Sequence, residues 1–347
     1  MRRVLAVVAA AAMVAGSLAL RSRLDRRETE RSQVLRLTCS AELEAACRQL
    51  EDSGDERLQV SVEAAGSTAD RLVASDADPG LDGWLVTAPW PAMVDLQRQA
   101  RARRPLFEGD PQVLARSPLV MVVAKDRAGA LAPRCPGGTV GWRCLGEAAA
   151  TDGGWAAVGG RPEWGPVKPG HASPATDGVG ALVLGQAVAS WFGRTDLSTV
   201  DLEDEAFQRW FTGLERAVPP SASSPLTTLL VTGPAAVDAV GTIEAEAGPL
   251  LARSARRDAL SLLYPSPMAT ADVVLAMPSG DGPAESVSRA VGGDAGKEAL
   301  AAAGWRVDGQ RRAEGVPDSP PLAADDGLPP PGLLEALRAR WREVTGR

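Results

Sequence analysis

Short apolar runs alternate with helical periodicities along this chain, and the alternation recurs from the first third to the last. Val34-Leu-Arg-Leu-Thr-Cys39 reads as a strand, and Ser40 stands at the entry of a helix over Ala41 to Glu51, whose apolar Leu43, Ala46, Cys47 and Leu50 share one face. Leu58 to Glu63 alternates as a second strand, and Gly66-Ser67-Thr68 leads into a helix from Ala69 to Ala74. Leu81-Asp-Gly-Trp-Leu-Val86 is a third strand, followed by Ala88-Pro-Trp-Pro91 and a helix from about Met93 to Ala102. Strands alternating with helices predict an α/β fold with parallel pairing.

The longest strand-like run beyond residue 33 is Leu114 to Ala124, which follows the first units directly and reads as a crossing strand. Beyond it, Ser173-Pro-Ala-Thr-Asp-Gly-Val-Gly180 opens a helix running to Phe192, and a further helix spans Asp204 to Ala217. A Pro/Ser linker covers Pro219 to Pro225, and a helical stretch is expected around Ala235 to Glu246. Leu260 to Pro265 and Asp272 to Met277 read as strands that return the chain to its first part. Residues 317–331 are proline-rich and expected to be extended, and Gly332 to Val344 has the pattern of an amphipathic helix. The order predicts two lobes of mixed sheets with helices on both faces, joined by two crossing strands. Residues 34–116 and 263–347 form lobe 1, and residues 117–262 form lobe 2.

A length of 347 residues agrees with two lobes of ordinary size. The formal net charge of -7, without a basic cluster beyond the N-terminal segment, argues against a nucleic-acid partner. A single histidine, His171, removes most routes to imidazole catalysis and to a multi-histidine metal site, and nothing calls for a cofactor. His171 with Ser173 and Asp177 invites a hydrolase reading, but no nucleophile-elbow motif accompanies them. The expectation is a binding protein and not an enzyme.

Met1-Arg2-Arg3 precedes an apolar run from Val4 to Leu20, the pattern of an export segment. Arg21, Arg23, Arg26, Arg27 and Arg31 follow at once, which favours retention as a single N-terminal membrane anchor over secretion after cleavage. At about 1.5 Å per residue the run reaches roughly 25 Å, so the arginines must complete the span by snorkelling. Residues 1–33 are thus a signal or anchor segment with a charged spacer, and the rest of the chain faces the outside of the cell membrane.

Export makes oxidation of the cysteines plausible. Cys135 to Cys144 encloses a Pro- and Gly-rich loop able to fold back to a disulfide separation. Cys39 and Cys47 would stand roughly 12 Å apart in a continuous helix, so a bridge there requires Cys39 to precede the helix and the chain to curl back. Two buried thiols are the alternative for that pair.

Thr38-Cys-Ser40, Gly66-Ser67-Thr68, Asp82-Gly-Trp-Leu85, Ala115-Arg-Ser-Pro-Leu-Val120, Pro174-Ala-Thr-Asp-Gly-Val-Gly180, Val231 to Glu244 and Tyr264-Pro265 occur in an order that resembles type 2 periplasmic binding proteins. The likeness covers nearly all of residues 34–345 and is nearest in pattern to the molybdate-binder-like group of extracellular solute-binding proteins, of an actinobacterial type. It implies capture of a small-molecule or oxyanion ligand in an interlobe cleft, for an ABC-type membrane permease or for sensing. A surface interaction protein that keeps the fold without a ligand is the alternative. Ligands of open α/β sheets sit at the carboxyl ends of strands, beside helix N-termini. Ser40, Ser67, Thr68, Ser173 and Thr176 place hydroxyls at such ends, although each is equally a plain helix cap. Asp177 stands at the same entry and weighs against an anion. Tyr264 offers its hydroxyl to the ligand or packs at the hinge. Glu244 faces the cleft or is a solvated helix carboxylate. Trp84, Trp90 and Trp164 line the cleft or belong to the core.

Overall fold

Leu35, Leu37 and Cys39 are buried along β1 (Leu35–Ser40), which makes this short run a central strand. A computed structural model describes residues 34–53, 57–75, 79–107, 109, 111–220, 224–280, 283–307, 315–316, 320–322 and 327–347. The expected export or anchor segment lies outside them, as do parts of the 219–225 linker and of the proline-rich stretch 317–331. Among the described residues no helix is long and apolar enough to cross a membrane.

β1 pairs in parallel with β2 (Leu58–Glu63) and β3 (Gly83–Thr87). β4 spans Val113–Ala124, β5 Pro169–Gly170, β6 Ala239–Ile243, β7 Leu260–Leu263 and β8 Thr270–Ala276. The sheet order is β2-β1-β3-β8-β4-β6-β5, with β7 also on β4. β8 runs antiparallel between β3 and the first half of β4, with Trp84 opposite Ala276 and Arg116 opposite Asp272. From Leu119 onward β4 pairs instead with β6 and β7, Leu119 lying opposite Ile243 and Met121 opposite Leu263. One strand thus serves two lobes.

Helices α1 (Glu44–Asp52), α2 (Ala65–Ala74) and α3 (Trp90–Ala100) follow the first three strands. After β4 come α4 (Lys125–Leu131), α5 (Trp142–Ala149), α6 (Gly154–Ala157), α7 (Gly178–Phe192), α8 (Glu205–Ala217), α9 (Pro225–Val231) and α10 (Glu244–Arg253). The chain closes with α11 (Ala284–Gly292), α12 (Asp294–Ala302) and α13 (Pro331–Thr345). α7 is apolar and buried on nearly every side, begins at a side-chain cap from Asp177, and ends at Gly193, whose φ of 69° is the left-handed conformation of a helix stop.

The structure corrects the sequence reading in several places. Residues 239–243 are a strand and not helix: the run Ala-Val-Gly-Thr-Ile is short and leads directly into the helix-forming Glu244-Ala-Glu-Ala, and Gly241 is required because a Cβ there would lie 2.3 Å from Trp142. α2 starts at Ala65, so Gly66, Ser67 and Thr68 form its first turn and do not precede it. α11 and α12 arise from an Ala- and Gly-rich stretch in which no helix was expected.

Both cysteine pairs are bridged, with Cα separations of 6.6 Å for Cys39–Cys47 and 5.2 Å for Cys135–Cys144. Cys39 lies in β1, and a single 3-10 turn over Ala41–Leu43 folds the chain back so that Cys47 on α1 reaches it.

Glu244 is buried and not solvated. Its carboxylate accepts from Arg306 Nε at 2.8 Å and Nη2 at 2.6 Å, and from the Tyr264 hydroxyl at 2.6 Å. Arg306 also exchanges backbone bonds with Arg116, at 2.9 Å in each direction, so the returning chain is fastened to β4 where that strand changes partners. Arg306→Met should cost about 3–5 kcal/mol in urea unfolding, because the buried Glu244 carboxylate loses its counter-ion. A second change, Glu244→Leu, should restore much of that loss; equal instability of the single and double variants would refute a buried ion pair.

Candidate functional site

β1 and β3 run parallel, so their carboxyl ends, Ser40 and Thr87, point the same way, toward the entry of α7. Ser40 does not cap the following turn; its buried hydroxyl donates to the Leu85 carbonyl at 3.4 Å. Two residues on, the 3-10 turn carries Glu42, whose Oε1 accepts from Thr87 Oγ1 at 3.1 Å. Its Oε2 is buried and has no hydrogen-bond partner. The carboxyl rests on the bare Cα of Gly178: a Cβ there would lie 2.1 Å from Glu42 Oε1. Asp177, next to Gly178, accepts from the Gly180 N–H at 2.8 Å as the cap of α7.

The loop before α7 is gripped by its own carbonyls. Thr176 O accepts from the Gly66 N–H at 2.9 Å, and Gly178 O from Trp90 Nε1 at 3.2 Å. Pro174 O accepts from Arg338 Nε at 2.9 Å and Ala175 O from Arg338 Nη2 at 2.8 Å. Arg338, buried on α13, also lies 4.4 Å over the ring of Trp90. Gly66 admits this approach, since a Cβ would meet Ala175 O at 2.1 Å. One of the free N–H groups at the entry of α2, where an anion would be expected, is therefore taken by the chain itself.

The residues singled out from sequence fall into three places. Ser40 and Asp177 meet at the seam between the lobes. Ser67 and Thr176 flank it with exposed side chains, and Ser173 stands half-buried in the same loop, its carbonyl accepting from the Asp177 N–H at 2.9 Å. Thr68 turns its hydroxyl to Glu63 at 2.8 Å, and Tyr264 donates to Glu244 at the hinge. Of the tryptophans, Trp84 is core and Trp164 stacks under Arg127 at 3.6 Å, so only Trp90 reaches the seam. Glu42, Thr87 and Arg338 were not anticipated. A Glu in the first turn of a helix reads as a dipole partner, and nothing local marks it as the residue that meets α7. Hollows of about 940 Å³ beside Gln208 and Arg216, and of about 610 Å³ beside Leu50 and Arg289, lie away from these residues.

His171 forms no triad with Ser173. Its Nε2 faces Glu215 Oε2 at 3.0 Å, and its Nδ1 faces the Ala172 carbonyl at 2.8 Å. Burial alone would lower its pKa, but the charge and hydrogen bond of Glu215, together with the bond to the Ala172 carbonyl, leave it raised. Burial, with the nearby Asp177 charge, lifts the Glu42 carboxyl from 4.5 to about 7. Burial likewise raises Asp177, against the pull of the Gly180 N–H.

No family model matches the sequence, and no curated protein matches it. Solved structures do. The chain is similar to the periplasmic binding protein AfuA from Actinobacillus pleuropneumoniae, with fructose-6-phosphate bound, at 15% identity and TM-score 0.60, over 91% of this chain and 99% of that one. It is also similar to iron-bound HitA from Pseudomonas aeruginosa at 14% identity and TM-score 0.57, over 90% and 99% of the two chains. A periplasmic thiamin-binding protein matches at 13% identity and TM-score 0.60, over 90% and 96%. The fold is the two-lobed α/β fold of periplasmic binding proteins.

Two outcomes follow from the seam. Because the Glu42 pKa is raised by folding, its contribution to stability is full below pH 4.5 and is lost as pH rises through about 7. Glu42→Gln should match the wild type near pH 4.5 and exceed it by up to about 3 kcal/mol at pH 8 in chemical unfolding. A difference independent of pH would show that Glu42 is not a buried acid. Arg338→Ala strands two buried carbonyls and should cost about 3 kcal/mol, with a larger radius of gyration by small-angle scattering as the lobes part. Unchanged stability and radius would mean that Arg338 holds nothing together.

Proposed function

We propose that this protein captures a small polar solute between its lobes, outside the cytoplasm, and presents it to a membrane permease of the ABC type or uses it as a signal, with no chemistry of its own. The observation that carries this reading is the convergence at one seam of Ser40, Glu42 and Thr87 from the carboxyl ends of parallel strands with Asp177 from the facing helix entry, including the unpartnered Glu42 Oε2. That is where open α/β sheets take ligands. Ser67, Thr176 and Ser173 would line the mouth; Thr68 and Tyr264 would act from behind, by holding α2 and the hinge. Lobe 1 is assigned to residues 34–116 and 263–347 and lobe 2 to residues 117–262, in keeping with the change of partners along β4. The similar structures carry a sugar phosphate in one case and iron in another, so the fold does not choose the ligand.

The carbonyl latch favours a second reading. Donors that a solute could use are occupied by the loop at residues 174–178, as expected of an interaction protein that keeps the fold without a ligand. A thermal-shift screen of the full chain against oxyanions, amino acids, sugars and polyamines separates the two. A ligand at 100 times its dissociation constant should add about 2.7 kcal/mol of stability. Silence across the panel would leave the interaction protein as the surviving reading.

A further inference from the structure

Donors and acceptors at the seam are out of balance. The hydroxyl protons of Thr68 and Thr87 go to Glu63 and Glu42 Oε1, and that of Ser40 is shared between Leu85 O and the Glu42 carboxyl. The N–H groups of Gly66, Gly180 and Trp90 go to Thr176 O, Asp177 Oδ1 and Gly178 O, and Arg338 spends Nε and Nη2 on Pro174 O and Ala175 O. Against these filled donors stands a buried acceptor with no partner, Glu42 Oε2, whose carboxyl rests on Gly178, next to a second carboxyl, Asp177, near enough for its charge to raise the Glu42 pKa. An isolated buried acceptor costs free energy until a donor reaches it. An oxyanion would bring acceptors and negative charge up to two carboxyls, with only the hydroxyls of Ser67, Ser173 and Thr176 at the mouth left to donate to it. A ligand bearing N–H donors and positive charge supplies both missing terms.

We propose that the seam between the Ala41–Leu43 turn and the start of α7 binds a primary ammonium group, held between the carboxylates of Glu42 and Asp177. The assignment rests on the solute-binding reading and names its ligand class. The ammonium donates to Glu42 Oε2 and to the Asp177 carboxylate, and the hydroxyl oxygen of Thr87 keeps lone pairs for a third contact. Without a ligand, Glu42 holds a proton in place of the ammonium up to about pH 7, which relieves the repulsion from Asp177. Both acidic residues retain partial exposure, and Ser67 and Thr176 stand exposed beside them, so the amine enters with a polar remainder at the mouth. A bare metal ion fits less well: among the described residues no group of three or more His, Cys, Asp or Glu gathers to hold one.

The test is isothermal titration of the full chain in detergent with ethanolamine, putrescine, tetramethylammonium, sulfate and glucose. Ethanolamine or putrescine should bind, and tetramethylammonium, which has the charge without an N–H, should bind at least about tenfold more weakly. Glu42→Gln and Asp177→Asn should each weaken amine binding by about tenfold or more while melting no lower than the wild type; Asn remains a good helix cap, so Asp177→Asn carries the test if Glu42→Gln fails to fold. Equal binding of tetramethylammonium, or unchanged affinity in both variants, overturns the assignment. Binding of sulfate or glucose without the amines overturns it too, but leaves a solute receptor standing. No heat from any probe removes the ammonium site, and the wider thermal-shift panel then decides whether any solute binds.

Discussion

A buried strand needs hydrogen-bond partners on both edges, and β4 meets that requirement by exchanging them part-way along its 12 residues. Pro118, which has no N–H to donate, is the last residue paired with β8, opposite Thr270, immediately before Leu119 begins the pairing with β6. Because one continuous ladder enters both lobes, the distance between the carboxyl ends of β1 and β3 and the entry of α7 is set by backbone geometry. The Glu244–Arg306–Tyr264 group fastens the same junction from the returning chain. Side chains at the seam are then brought face to face whether or not their charges agree.

Those charges do not agree, and the conflict gives the seam its character. Two half-buried carboxyls share a site with the first turn of α7, whose dipole can favour one negative charge but offsets a second poorly. A proton on Glu42 resolves the conflict with no change of shape, and a donor cation resolves it from outside. Gly66 and Gly178 are the residues that allow such closeness, since a methyl group at either would strike a carbonyl or the carboxyl itself.

Elements with a clear pattern were legible in the sequence: β1, β2 and β3 with their helices, the apolar runs of β4 and β8, and the amphipathic helices α8 and α13. β6 reads as helix because its five-residue run Ala-Val-Gly-Thr-Ile is interrupted by Gly241 and passes directly into the helix-forming Glu244-Ala-Glu-Ala, whereas the equally buried β3 and β8 are unbroken runs rich in Val and Leu. At the site, Ser40 and Asp177 were visible because hydroxyls and carboxylates at strand-to-helix junctions carry a local signal. Glu42, Arg338 and the Glu244–Arg306 pair carry none. Arg338 meets a carbonyl 164 positions away, and Arg306 meets a carboxylate 62 positions away; these are facts of topology that no window of sequence contains. Cys39–Cys47 lay between the two cases, since its closure turned on whether a strand ended just before Ser40.

The pairing of β3 with β8 also orders the assembly of the molecule. Residues 83–87 have no antiparallel neighbour until residues 270–276 arrive, whereas β4, β6 and β7 lie within the intervening chain. Contacts of long sequence separation require a costly loop closure before they return any stabilisation. In a chain emerging from its first residue, the second lobe can therefore condense while the first still lacks a strand. The seam, which needs both, is the last thing to form.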